Sequence, residues 1–228
     1  MILAIVQARM GSTRLPGKVL KDINGKPLIE ILLHRLSLSK KIDKIILATS
    51  KNSEDNLLTE IVQQLGFDVY RGSEHDVLDR YYQASIKYNP KVIIRVTGDC
   101  PIIDPKLVDS VIYKFLISNV NYASNTMPRT FPDGLDLSVF SFSTLKLTWI
   151  KAKSDYDREH VTSFMRTDNQ FSRINVSNPK DYSKERWTVD EKEDLSVITE
   201  IIDYFSPNLD FSWRDVIKYN NSILTMHK

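Results

Sequence analysis

Four short apolar runs punctuate the first half of the chain: Ile2–Val6, Ile45–Thr49, Phe67–Tyr70 and Val92–Val96. Between them, side chains destined for the interior recur at helical spacing. Leu28, Ile31, Leu32, Arg35 and Leu36 form one stripe. Leu57, Leu58, Ile61, Val62 and Leu65 form a second, closed by Gly66 at the position of a helix C-cap. Val77, Leu78, Tyr81, Tyr82, Ser85 and Ile86 form a third. Alternation of strands with helices restricts such a chain to an α/β fold with a mainly parallel sheet and right-handed crossovers.

The rhythm changes after Asp99. A helix is expected to start at Pro105, with Leu107, Val108, Val111, Ile112 and Phe115 as its apolar face. Residues 121–140 read as turns and short strands. Helices are expected near Ser141–Lys153 and Asp157–Thr167, a strand at Phe171–Val176, and a late strand ending in Thr188-Val189-Asp190. Leu195, Ile198, Ile201, Ile202 and Phe205 mark an amphipathic helix, and Trp213 and Ile217 an accessory C-terminal one. No linker, repeat or low-complexity tract divides the chain. All 228 residues are therefore expected in one domain, with residues 121–153 as an excursion from it.

Composition excludes several classes. A net charge of +2 makes no case for a nucleic-acid binder. The single cysteine, Cys100, rules out an internal disulfide and a cysteine-based zinc site. No apolar run is long enough to cross a bilayer. Met1 leads directly into the first strand with no basic leader, so a cytoplasmic location is expected.

The chemistry is concentrated where the first strand ends. Ala8-Arg9-Met10-Gly11-Ser12-Thr13-Arg14-Leu15-Pro16-Gly17-Lys18 places three cations, two glycines and two hydroxyl residues at that point. In open α/β sheets ligands bind outside the carboxyl ends of the strands. Gly11 lets the backbone approach a ligand, and Arg9, Arg14 and Lys18 supply charge for a polyanion such as a nucleoside triphosphate. The pattern is not a P-loop, because no Gly-Lys-Ser/Thr opens a helix. Asp99, in Thr97-Gly98-Asp99-Cys100-Pro101, and Asp190 are expected at strand ends on the same sheet edge. Carboxylates facing a triphosphate need a cation between, and magnesium prefers one or two carboxylates plus phosphate oxygens. Asp99 and Asp190 also have plain structural readings, as a turn residue and a helix N-cap. Without a kinase loop or Walker lysine, attack at the α-phosphorus with pyrophosphate leaving is favoured over γ-phosphoryl transfer. Lys18 and Arg14 would neutralise the charge that develops.

These residues resemble the signature of the CMP-sugar synthetase (cytidylyltransferase) family, and most closely its branch of spore coat polysaccharide cytidylyltransferase-like proteins. Arg71-Gly72-Ser73, Val96–Pro101, Pro132-Asp133-Gly134-Leu135-Asp136, Arg158-Glu159-His160-Val161-Thr162 and Thr188-Val189-Asp190 resemble its further blocks, in its order. The resemblance implies a single Rossmann-like nucleotide-diphospho-sugar transferase fold, with a mixed, mostly parallel sheet flanked by helices. It implies CTP as nucleotide and magnesium as cofactor. CTP would be bordered by Ala8, Arg9, Gly11 and Ser12, held by Arg14 and Lys18, and read at its base by Arg71 and Ser73 with Asp76 nearby. Asp99 and Asp190 would hold the metal. Arg129, Asp133, Asp136, Arg158, Glu159 and His160 would face the acceptor, a sugar acid, a sugar or polyol phosphate, or a phosphonate. Val19 after Lys18 departs from the Asn usual in sialate and octulosonate synthetases. Relatives are commonly dimers, so the 121–153 excursion is expected to cover the acceptor or to form a homodimer contact. The alternative is a GT-A type glycosyltransferase, but the Asp-x-Asp pair that it needs after the fourth strand is missing.

Overall fold

The computed structural model describes residues 1–226. The chain opens with β1 (Ile2–Gln7) and a short hairpin, β2 (Asp22–Ile23) and β3 (Lys26–Pro27). Helix α1 (Leu28–Ser37), β4 (Lys44–Ser50), α2 (Asn56–Gln64), β5 (Asp68–Gly72), α3 (Val77–Tyr88) and β6 (Val92–Thr97) follow in the expected alternation. Next come α4 (Pro105–Ser118), β7 (Tyr122–Ser124), β8 (Ser138–Ser141), α5 (Phe142–Lys151), α6 (Asp155–His160), α7 (Ser163–Thr167) and β9 (Arg173–Asn175). Two helices close the chain, α8 (Lys192–Phe205) and α9 (Trp213–Met226). No helix among the described residues is long and apolar enough to cross a membrane.

Seven strands make one sheet in the order β5-β4-β1-β6-β8-β7-β9. β1 is central and runs parallel to β4 and β6, with Val6 opposite both Leu47 and Val96. β8 enters antiparallel to β6, and β7 returns antiparallel to β8. Residues 121–153 therefore supply two strands of the sheet and α5, and the part that leaves the sheet is narrower, the connection from 125 to 137. The pleat splits the core in two. Ala4, Val6 and Ala8 face one layer with α1, α4, α8 and α9, while Leu3 and Ile5 face the other with α3 and α5.

Local chemistry sets the boundaries. Gly66 takes a left-handed backbone (φ 86°) just after α2. Asp104 caps α4, accepting from Leu107 N–H at 2.9 Å, with Pro105 at the first helical position. The helix expected over 157–167 is broken in two. Val161, buried and at φ 59°, ends α6 there, and α7 begins at Ser163. The C-terminal segment is part of the core rather than an accessory, because Trp213, Val216 and Ile217 are buried. Arg35, fully buried in the α1 stripe, ties it in. Its guanidinium donates to the carbonyls of Ile103 (3.1 Å), Phe211 (2.9 Å), Ile102 (3.4 Å) and Leu209, and lies over the Phe211 ring. Burial lowers its pKa to about 10, against the pull of Asp104 and Asp210.

Candidate active site

The cationic loop leaves β1 and folds back on itself. Ser12 and Gly17 both donate backbone N–H groups to the Met10 carbonyl. Met10 N–H donates to Asp55 Oδ1 at 2.7 Å, and the other oxygen of this buried carboxylate takes Ser50. Gly17, at φ 68°, starts the 3-10 turn over Lys18–Leu20 that aims Lys18 inward. Gly98 lets the end of β6 come up to β1. A Cβ there would lie 2.6 Å from Ala8 Cβ, closer than two carbons can pack. Asp99 is thereby brought beside the loop.

Residues 186–190 reach the same place without forming a strand. They run as an extended segment pinned to the end of β6, with Val189 N–H donating to the Asp99 carbonyl at 2.8 Å and Thr188 Oγ1 to the same oxygen at 3.2 Å. Gly134 (φ 105°) packs against this segment so closely that a Cβ would sit 2.4 Å from the Trp187 carbonyl carbon. The N-cap of α8 is Glu191, not Asp190, and it forms a capping box with Asp194. The Asp190 carboxylate is left to face the loop.

Lys18 Nζ lies where these parts converge. It donates to Val189 O at 2.8 Å, Asp190 Oδ1 at 2.9 Å and Asp99 Oδ2 at 3.1 Å, and Arg14 approaches Asp190 at 3.0 Å. Burial acts to raise the Asp190 pKa, but Lys18, Arg14 and Arg186 outweigh it and hold the carboxyl below its ordinary range. Asp99 and Asp190 thus point at one cation position, taken here by an ammonium. An all-oxygen donor set of this kind suits a hard divalent ion. No cluster of three or more His, Cys, Asp or Glu among the described residues would cage a metal, so phosphate and water would complete the shell. Cys100 is buried, and burial together with Asp99 and Asp136 raises its thiol well above the usual range, which disqualifies it as a nucleophile.

A cavity of about 800 Å³ opens above this cluster. Ala8, Arg9, Gly11, Ser12, Arg14, Lys18, Asp76, Asp99, Asp190, Arg158, Glu159 and His160 line it. Arg9 is held by Glu74 at 2.7 Å. Asp76 and Arg158, assigned to opposite ends of the site, are partners at 2.6 Å. The remaining Arg158 donor, Nη1, goes to the Trp149 carbonyl at 2.9 Å.

Other expected residues are not brought into the cavity. Arg71 turns away and donates to Ser50 O (2.9 Å), Asn52 O (2.7 Å) and Asn56 Oδ1 (2.7 Å). Ser73 accepts from Asp76 N–H at 3.0 Å in the turn before α3. Arg129 donates to Asp133 at 2.5 Å and to Asp136 at 2.6 Å, in the connection between β7 and β8. Arg186 joins this group to the site, contacting Asp133 (3.2 Å), Asp190 (3.3 Å) and Asp194 (2.8 Å). Burial raises the Asp136 pKa in spite of Arg129. The sequence reading missed Gln7, Glu74, His75, Arg80 and Asp155, which also line the cavity. Arg80 could have been noticed as a cation on the apolar face of the third helical stripe.

The cytidylyltransferase family model matches residues 3–210. The chain belongs to the cytidylyltransferase family. It is 40% identical over 207 residues to an uncharacterized protein of Methanocaldococcus jannaschii, covering 90% of this chain and 84% of that protein. It is 36% identical to the spore coat polysaccharide biosynthesis protein SpsF of Bacillus subtilis, covering 96% and 94%. The solved structure of a cytidylyltransferase from Leptospira borgpetersenii superposes with a TM-score of 0.92 at 35% identity, covering 97% and 95%. The protein is thus a nucleotidyltransferase with the expected fold, and the glycosyltransferase alternative falls away.

Proposed function

We propose that this cytidylyltransferase joins an acceptor oxygen to the α-phosphorus of CTP with magnesium present, releasing pyrophosphate. A new Pα–O bond forms as the bond to the β-phosphate oxygen breaks. The observation that carries the reading is the convergence of Lys18, Arg14, Asp99 and Asp190 on one point of the cavity wall. Asp99 and Asp190 would hold magnesium, which when bound supplies Lewis-acid polarisation of phosphate oxygens. Lys18, freed from the two carboxylates, and Arg14 would neutralise the departing pyrophosphate. The loop backbone from Ala8 to Ser12 would border the nucleotide. Arg158, with its donors already bonded to Asp76 and Trp149, would position α6 rather than bind an anion itself. Glu159 and His160 would meet the acceptor, with the connection between β7 and β8 beside it.

An acceptor panel of sugar acids, sugar and polyol phosphates and phosphonates, offered with CTP and magnesium and read as pyrophosphate release, tests this. Release that needs CTP, magnesium and one acceptor class is the expected result. No release with any acceptor, alongside normal CTP binding, would overturn it.

A further inference from the structure

In the extended 186–190 segment Trp187 and Val189 are buried in the core, so alternation leaves Arg186, Thr188 and Asp190 on the other side. Arg186 is half exposed and stands outside the cavity lining. Each nitrogen of its guanidinium nonetheless meets a carboxylate. Nε donates to Asp194 Oδ1 at 2.8 Å, and Nη2 to Asp194 Oδ2 at 2.9 Å and Asp190 Oδ2 at 3.3 Å. Nη1 donates to Asp133 Oδ2 at 3.2 Å. One side chain thereby gathers the connection between β7 and β8, the extended segment and the first turn of α8.

The two oxygens of Asp190 are divided by this arrangement. Oδ2 goes to Arg186, while Oδ1 faces Lys18 at 2.9 Å and Arg14 at 3.0 Å. Asp194 adds a second hold by accepting the Asp190 N–H at 2.9 Å. Ion pairs as exposed as those of Arg186 stabilise a fold little. By charge alone, a cation beside Asp190 opposes the binding of another cation. A planar guanidinium, however, fixes direction as well as charge, and direction is what the Asp190 carboxylate gains here.

We propose that Arg186 is a positioning residue for the nucleotidyl transfer: it turns Asp190 so that Oδ1 faces the cation position shared with Asp99, and through Asp133 it ties that setting to the connection between β7 and β8. This role rests on the reading of Asp99 and Asp190 as the holders of magnesium beside CTP. Among the described residues Arg186 is the one that bonds to both Asp133 and Asp190. Removing a partner that orients a metal ligand typically costs about 10- to 100-fold in metal affinity or activity.

Calorimetric titration of the full-length protein with CTP, once in magnesium and once in EDTA, tests this without turnover. The ratio of the two affinities is the gain that magnesium brings. Arg186→Met and Arg186→Lys should each cut that gain about 10-fold, with the affinity in EDTA within about twofold of the wild type's. A role of charge alone would raise the gain in Arg186→Met and leave it unaltered in Arg186→Lys, and either result overturns the proposal. A loss in EDTA as large as the loss in magnesium also overturns it, by making Arg186 a contact of the nucleotide. Asp133→Asn should lower the gain in the wild type and add nothing in Arg186→Met; an equal loss in both backgrounds refutes the tie through Arg186. Should Arg186→Met fail to fold, Arg186→Lys carries the test, and an unaltered gain there is refutation. A wild type that gains nothing from magnesium would instead defeat the proposed function.

Discussion

Replacing Lys18 by methionine removes a charge and keeps most of the volume. Asp99 and Asp190 then face each other with their shared ammonium gone. Both oxygens lie about 3 Å from that nitrogen, so they stand roughly 5 Å apart across the gap. Two such charges repel by about 3 kcal/mol at an effective dielectric constant near 20. Arg14, 3.0 Å from Asp190, offsets part of this, leaving a loss of about 2 kcal/mol. For a chain of this size that is a fall of roughly 4–8 °C in melting temperature. The sign with pH follows from Asp190. Its folded pKa is depressed, so its stabilisation is present above the unfolded pKa near 4 and is lost as pH falls through the folded value. The wild-type and Lys18→Met melting curves should therefore differ most at neutral pH and converge below about pH 4. Magnesium should raise the variant's melting temperature more than the wild type's. Turnover should fall more than CTP affinity. Scanning calorimetry at pH 7 and pH 4, with and without magnesium, measures all but the last. Equal melting at pH 7, with no added magnesium response, would refute the electrostatic argument.

Gly134→Ala forces a Cβ into the Trp187 carbonyl at a backbone conformation that alanine resists; about 3 kcal/mol of stability should be lost, seen in urea unfolding, with Asp190 displaced and magnesium dependence weakened. Arg35→Met leaves several buried carbonyls unpaired and should cost about 2–4 kcal/mol, measured the same way, with no change in CTP affinity once folded. Asp99→Asn should raise the magnesium concentration needed for pyrophosphate release while the melting temperature stays near that of the wild type; a large fall in melting would make Asp99 a turn residue first. Arg71→Ala should leave CTP affinity within about twofold in calorimetric titration, because its guanidinium binds Ser50, Asn52 and Asn56 outside the cavity.

The parallel half of the sheet was legible because apolar strands and amphipathic helices differ in period over many residues. β7 and β8, where the sheet turns antiparallel, were not legible as sheet strands. They have three and four residues, too few for alternation to show, and so residues 121–153 read as an excursion, whereas β9 falls inside the strand expected at Phe171–Val176. The break at Val161 was hidden because a buried valine at positive φ carries no sequence signal. At the site, Lys18, Arg14, Asp99 and Asp190 could be grouped because each follows a strand end or a recognisable block. Arg80 was passed over although it sits among the apolar residues of the third helical stripe, and the packing under Gly72 shows that it, and not Arg71, lines the cavity. Arg129 read as open to an acceptor, yet Asp133 and Asp136 close on it.

Lys18 bonds to residues 81 and 172 positions further along the chain. While the protein is being synthesised, a nascent chain can complete β1 and most of the parallel sheet long before Asp190 leaves the ribosome. Such a fragment exposes the cationic loop without its second carboxylate. The Lys18–Asp190 contact therefore forms late, when the 186–190 segment docks beside Asp99 at the end of β6.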